Sequence, residues 1–147
     1  MPAVIREART VWNGDLAKGS GALTAVSSKS FSDLPVTWAA RTEAPEGKTS
    51  PEELIASAHA SCFSMALSAG LGRAGTPPTK LEVSAAVTFD KTDAGFRVIS
   101  SALTVEGTVP GISAEDFAKA AEGAKDGCPI SQALKGNVAL SVKAILA

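Results

Sequence analysis

The stretch Ser50-Pro51-Glu52-Glu53-Leu54-Ile55-Ala56-Ser57-Ala58-His59-Ala60-Ser61-Cys62-Phe63-Ser64-Met65-Ala66-Leu67 decides how this chain folds. Ser50 suits a helix cap, Pro51 the first helical position, and Glu53 closes a capping box, while Glu52 and Glu53 sit at the positive end of the helix dipole. A helix is expected from there to about Leu71. No charged residue occurs between Leu54 and Gly72, long enough to raise a membrane span, but the residues are mostly Ala, Ser and Gly with His59 in their midst. A buried central helix of a soluble protein is the expectation, with small side chains that let other elements approach closely.

Outward from this helix the pattern changes to strands. Upstream, Val4 to Trp12 and Ala22 to Val26 read as a hairpin around a Gly-rich loop, and Val36 to Arg41 as a short strand in which Val36, Trp38 and Ala40 share a face. Glu43 to Ser50 is a loop. Downstream, Thr76-Pro77-Pro78 stops the helix. Lys80 to Asp90 alternates with Leu81, Val83, Ala85, Val87 and Phe89 on one face, and Phe96 to Thr108 returns after an Asp93-Ala94-Gly95 turn. A phase change at Ser100-Ser101 predicts a bulge. Ser113 caps a second helix ending near Gly127, Cys128-Pro129 opens a short one to about Leu134, and Val138 to Leu146 closes the chain as an alternating strand. The order predicts one α+β domain over residues 1–147, an antiparallel sheet with a long central helix.

The chain of 147 residues carries 14 basic and 15 acidic side chains, so no strong field draws it to nucleic acid or to an anionic membrane surface. One His, no Tyr and two Cys exclude a multi-His or four-cysteine metal site. Met1 to Trp12 holds Arg6, Glu7 and Arg9 and lacks the apolar core of an export signal, so a cytoplasmic, reducing location is expected. Two cysteines there are more often free or redox-active than a structural staple.

Cys62 shares a helix face with Ile55, Ala58, His59, Ala66 and Ala69 and reads either as a small core thiol or as a nucleophile. Cys128, at a helix entrance, has backbone N–H groups available to lower its pKa. The two lie 66 positions apart, so only the fold can bring them together. A peroxide-reducing thiolate needs a fixed cation. Cys62 lies about 16 Å from the helix start, at ~1.5 Å per residue, too far for the dipole to serve. Arg41, in an apolar segment just before the helix, is the candidate, with a plain surface charge as its other reading. His59, one turn before Cys62, reads as a satisfied core residue or as the base of a Cys-His dyad.

The central-helix stretch resembles the signature of the OsmC/Ohr family, the osmotically inducible protein C and organic hydroperoxide resistance proteins, and Gly127-Cys128-Pro129-Ile130-Ser131 resembles its second-cysteine motif. The likeness is to the OsmC branch, since His59 to Met65 fits it and Asn13 to Gly21 lacks the arginine that Ohr proteins carry there. The resemblance implies a homodimeric α+β peroxidase with no cofactor or metal. It implies Cys62 as peroxidatic thiolate, Cys128 as resolving thiol, Arg41 as activating cation and Glu52 as the carboxylate that positions it. It also implies an organic hydroperoxide as substrate, an external dithiol, such as a lipoyl group, as reductant, and no nucleic-acid or membrane partner. A straight helix keeps Glu52 roughly 15 Å from Cys62, so it acts through Arg41 or not at all. A Cys62-His59 hydrolase and a dimeric binding module for apolar ligands are the competing readings.

Overall fold

A computed structural model describes residues 1–147, which divide into two compact units, Met1–Pro51 and Glu52–Ala147. In the first, β1 (Ala8–Asn13), β2 (Ser20–Ala25) and β3 (Leu34–Val36) form an antiparallel meander. Gly21 pairs with Trp12 on one side and Val36 on the other, and a Cβ there would stand 2.8 Å from the Trp12 ring and 2.9 Å from the Val36 methyl. Only glycine lets these two side chains close over the middle strand.

The short strand expected over Val36 to Arg41 is not formed beyond Val36. The chain turns instead into α1 (Trp38–Thr42), so Arg41 lies on a helix. Thr37 decides this: its extended backbone and its hydroxyl, accepting from the Ala40 N–H at 3.1 Å, make it an N-cap, and Trp38-Ala39-Ala40-Arg41 then follows with no β-branched residue to resist. Three alternating apolar residues suit a short strand as well as one helical turn, and the cap outweighs them.

In the second unit α2 (Pro51–Arg73) is continuous over 23 residues. By length and composition it could cross a membrane, but its i, i+4 ladder His59, Phe63, Leu67, Leu71 is buried within the unit. Each large apolar side chain so buried contributes roughly 1.5–3 kcal/mol. The helix is not buried all round, as the sequence suggested: Ser57, Ser61, Met65, Ser68 and Ala69 face outward.

β4 (Lys80–Thr92) and β5 (Gly95–Thr108) form the expected antiparallel hairpin, and the bulge falls beside Ser100, where Thr88 pairs with Ser100 and Phe89 with Val98, leaving Ile99 over. α3 (Ala114–Gly127), capped by Ser113, and α4 (Pro129–Leu134) follow, and β6 (Ala139–Leu146) then runs parallel to β5. The sheet is therefore mixed rather than antiparallel throughout. Two helices between β5 and β6 supply the crossover that a parallel pair requires. The core gathers Phe63, Leu67 and Leu71 of α2 with Leu103 and Val105 of β5 and Phe117 and Ala121 of α3.

Candidate active site

α2 and the α3–α4 junction carry the two thiols. Cys62 sits one turn after His59, half-buried against the core cluster, and Cys128 is fully buried, closing α3 and capping α4 at once. Both are free, and their side chains lie close enough for each to shift the other's pKa. The contact that sequence separation left open is therefore made.

The two sulfurs are not equivalent. Cys62 is pushed above the ordinary thiol range, by burial first and then by the neighbouring Cys128, although the Ile130 N–H opposes the rise. Burial pushes Cys128 up as well, but the Ser131 N–H, the Cys62 thiol, the Ser131 hydroxyl and the Ile130 N–H outweigh it, and the net shift is downward. The Ser131 N–H donates to Cys128 Sγ at 3.5 Å. Backbone donors at the start of α4 thus favour negative charge on Cys128, as its place at a helix entrance led us to expect.

His59 is fully buried, and each ring nitrogen is engaged: Nδ1 with Ser101 Oγ at 2.7 Å and Nε2 with Ser131 Oγ at 2.8 Å. Burial holds the imidazole below its usual pKa, hence neutral at pH 7. With both nitrogens taken, it has none to offer Cys62, which favours the core reading over the Cys-His dyad. The serines Ser101 and Ser131, also buried, escaped the sequence reading. The phase change at Ser100-Ser101 marked the place on β5, but nothing marked a hydroxyl turned inward.

Arg41 is half-buried in the Met1–Pro51 unit, its guanidinium 5.9 Å from the centre of the Trp38 ring one turn earlier in α1, within cation–π reach. Glu52 is buried in the first turn of α2. Because α2 has no break, ten residues keep Glu52 about 15 Å along the axis from Cys62. No three His, Cys, Asp or Glu side chains gather as a metal ligand set.

The pattern of the family described as OsmC-like protein matches residues 44–143. The chain belongs to the OsmC-like family. It is 46% identical over 129 residues to the Peroxiredoxin OsmC of Escherichia coli (strain K12), covering 88% of this chain and 89% of that one. To the organic hydroperoxide resistance protein OhrA of Bacillus subtilis (strain 168) it is 30% identical over 113 residues, covering 76% and 77%. The difference agrees with the OsmC branch read from the central helix. Its fold is that of the crystal structure of OhrB of Bacillus subtilis, with a TM-score of 0.74 at 24% identity over 94% of this chain and 97% of that one. Cys62, Cys128 and Glu52 fall inside the region matched by the OsmC-like pattern, and Arg41 lies just before it.

The neutral His59 of this OsmC-like chain sets a pH dependence of stability. The unfolded chain takes up the imidazole proton near 6.5 and the folded chain only at lower pH, so stability is full above 6.5 and declines as pH falls below it. Urea unfolding midpoints at pH 8, 7, 6 and 5 should be level between 8 and 7 and then drop, with a limiting slope of about 1.4 kcal/mol per pH unit from this group. His59→Gln should flatten the drop; an unchanged slope would place its origin elsewhere.

Proposed function

We propose that this chain is a thiol peroxidase that reduces organic hydroperoxides, and hydrogen peroxide more weakly, acting as one domain over residues 1–147. The reading is carried by two free thiols, far apart in sequence, meeting side chain to side chain in a chain 46% identical to a peroxiredoxin OsmC. The Cys62 thiolate attacks the O–O bond, the alkoxide leaves and takes a proton as alcohol, and Cys62 becomes a sulfenic acid. Cys128 then displaces hydroxide from that sulfur to form a disulfide, which an external dithiol, such as a lipoyl group, reduces. A reducing cytoplasm suits that cycle.

Arg41 supplies what the surroundings of Cys62 lack. With Cys62 raised and Cys128 lowered, a fixed cation is needed to move charge onto the attacking sulfur, and a planar guanidinium can bridge a thiolate and a peroxide oxygen. Glu52 serves by orienting that arginine. A homodimer is supported by the outward face of α2, where Met65 is 72% exposed and borders a groove shared with Ser64, Ser68, Ala69 and Leu81. A second copy covering this face would remove apolar surface from water.

Stoichiometry tests the division of labour. Cys62→Ser should abolish peroxide reduction, and Cys128→Ser should consume about one equivalent and then stall or over-oxidise. Equal loss of the first turnover in both would contradict it. Arg41→Lys keeps the charge but not the fork, and should slow alkylation of Cys62 and its attack on peroxide; wild-type rates would reject the role. For substrate, an alkyl or aryl tail burying about 60 Å² gains roughly 1.5 kcal/mol, on the order of tenfold in kcat/KM for cumene hydroperoxide over hydrogen peroxide. Equal values measured with one reductant would remove the apolar contact while leaving the cysteine chemistry standing.

A further inference from the structure

The only histidine stands at the centre of a buried array that the peroxidase cycle has not so far used. Ser101 on β5, His59 on α2, Ser131 on α4 and Cys128 follow one another: Ser101 Oγ to Nδ1 at 2.7 Å, Nε2 to Ser131 Oγ at 2.8 Å, and the Ser131 backbone N–H to the Cys128 sulfur at 3.5 Å, with the Ser131 hydroxyl beside that sulfur. All four are 0–1% exposed, so water does not complete any of these bonds. No buried side-chain oxygen or nitrogen in the chain lacks a partner.

Proton counting leaves two arrangements, because each serine hydroxyl and the neutral ring carries one proton. In one, the Cys128 thiol donates to Ser131, Ser131 to Nε2, and Nδ1–H to Ser101. In the other every bond is reversed: Ser101 donates to Nδ1, Nε2–H to Ser131, and Ser131 to a Cys128 thiolate. The first array requires that Cys128 keep its proton, and the second solvates the anion. The two arrays differ by the one proton that Cys128 gives up; with it gone, each bond carries its proton at the opposite end, and no heavy atom need move.

We propose that His59 and Ser101 are positioning residues for Cys128, holding the Ser131 hydroxyl so that its proton points at the sulfur and favours the thiolate form of the resolving thiol. This rests on the reading of Cys128 as the resolving thiol. In that step the Cys128 thiolate attacks the sulfenic sulfur of Cys62. The S–S bond forms as the S–O bond breaks, and the departing hydroxide takes a proton from solvent to become water. Cys128 is oxidised and the sulfenic sulfur reduced. His59 stays neutral throughout, a donor to Ser131 rather than a base.

Cys62 is the titratable group in contact with Cys128, so the test removes it. In full-length Cys62→Ser protein, thiolate absorbance near 240 nm against pH reports Cys128 alone. Adding Ser131→Ala deletes the hydroxyl but keeps the Ser131 backbone N–H, and should move the Cys128 titration upward, leaving roughly tenfold less thiolate at neutral pH, as expected for loss of a hydrogen bond to a charged group. His59→Leu should do the same, while His59→Gln, whose amide N–H replaces Nε2–H, should restore most of it. With both cysteines present, Ser131→Ala should slow disulfide formation by about the same factor in a single turnover and leave sulfenic acid formation unchanged. An unmoved Cys128 titration in Ser131→Ala, or equal shifts in His59→Leu and His59→Gln, would overturn the proposal. The titration does not depend on peroxide. A wild-type chain that fails to reduce peroxide while Cys128 titrates as expected would overturn the peroxidase reading and leave the hydrogen-bonded array standing.

Discussion

The imidazole of His59 has no contact with water, so each of its nitrogens must be satisfied inside the protein or cost of order 1–3 kcal/mol. Ser101 in the middle strand of the second sheet and Ser131 in α4 meet that demand, and in doing so they set where α2 lies over β5 and how α4 turns against both. The sulfur contact follows. Cys62 is three residues beyond His59, about 4.5 Å along the helix, and Cys128 is three residues before Ser131. The two pairs form successive rungs between the same elements, one a hydrogen bond from ring to hydroxyl, the other an approach of two thiols.

Elements whose signals are local were legible in the sequence. The capping residues of α2 and α3, the alternation of β4 and β6, the bulge beside Ser100 and the short helix after Cys128-Pro129 all lie where cap chemistry and side-chain period put them. Arg41 lies on a helix where the sequence pattern predicts a strand, because five residues hold too little periodicity to separate the two, and the Thr37 cap decides it. The direction of β6 was lost for another reason: alternation reports a strand's faces and says nothing of which way it runs beside its neighbour. At the site, Cys62, Cys128 and His59 stood out as scarce residue types. Ser101 and Ser131 did not, because serine is common and only burial distinguishes theirs.

The distribution of charge between the two sulfurs explains why a dithiol alone is an incomplete peroxidase. Two neighbouring thiols that interact lose their first proton as a pair, and the charge settles on whichever sulfur has more donors aimed at it. Here that is Cys128, with the N–H groups of Ser131 and Ile130 and the Ser131 hydroxyl, against the Ile130 N–H alone for Cys62. In the proposed cycle this arrangement suits the second half, since the thiol that attacks the sulfenic acid is the one whose pKa is lowered. It does not suit the proposed first half, which has Cys62 as the nucleophile. In the proposed cycle a fixed guanidinium would resolve the conflict without altering the backbone: it would lower the cost of charge on Cys62 and leave the donors of Cys128 in place for the step that follows. The two halves of the proposed reaction would thus draw on different sources of positive potential, a side chain for Cys62 and chiefly the peptide N–H groups at the start of α4 for Cys128.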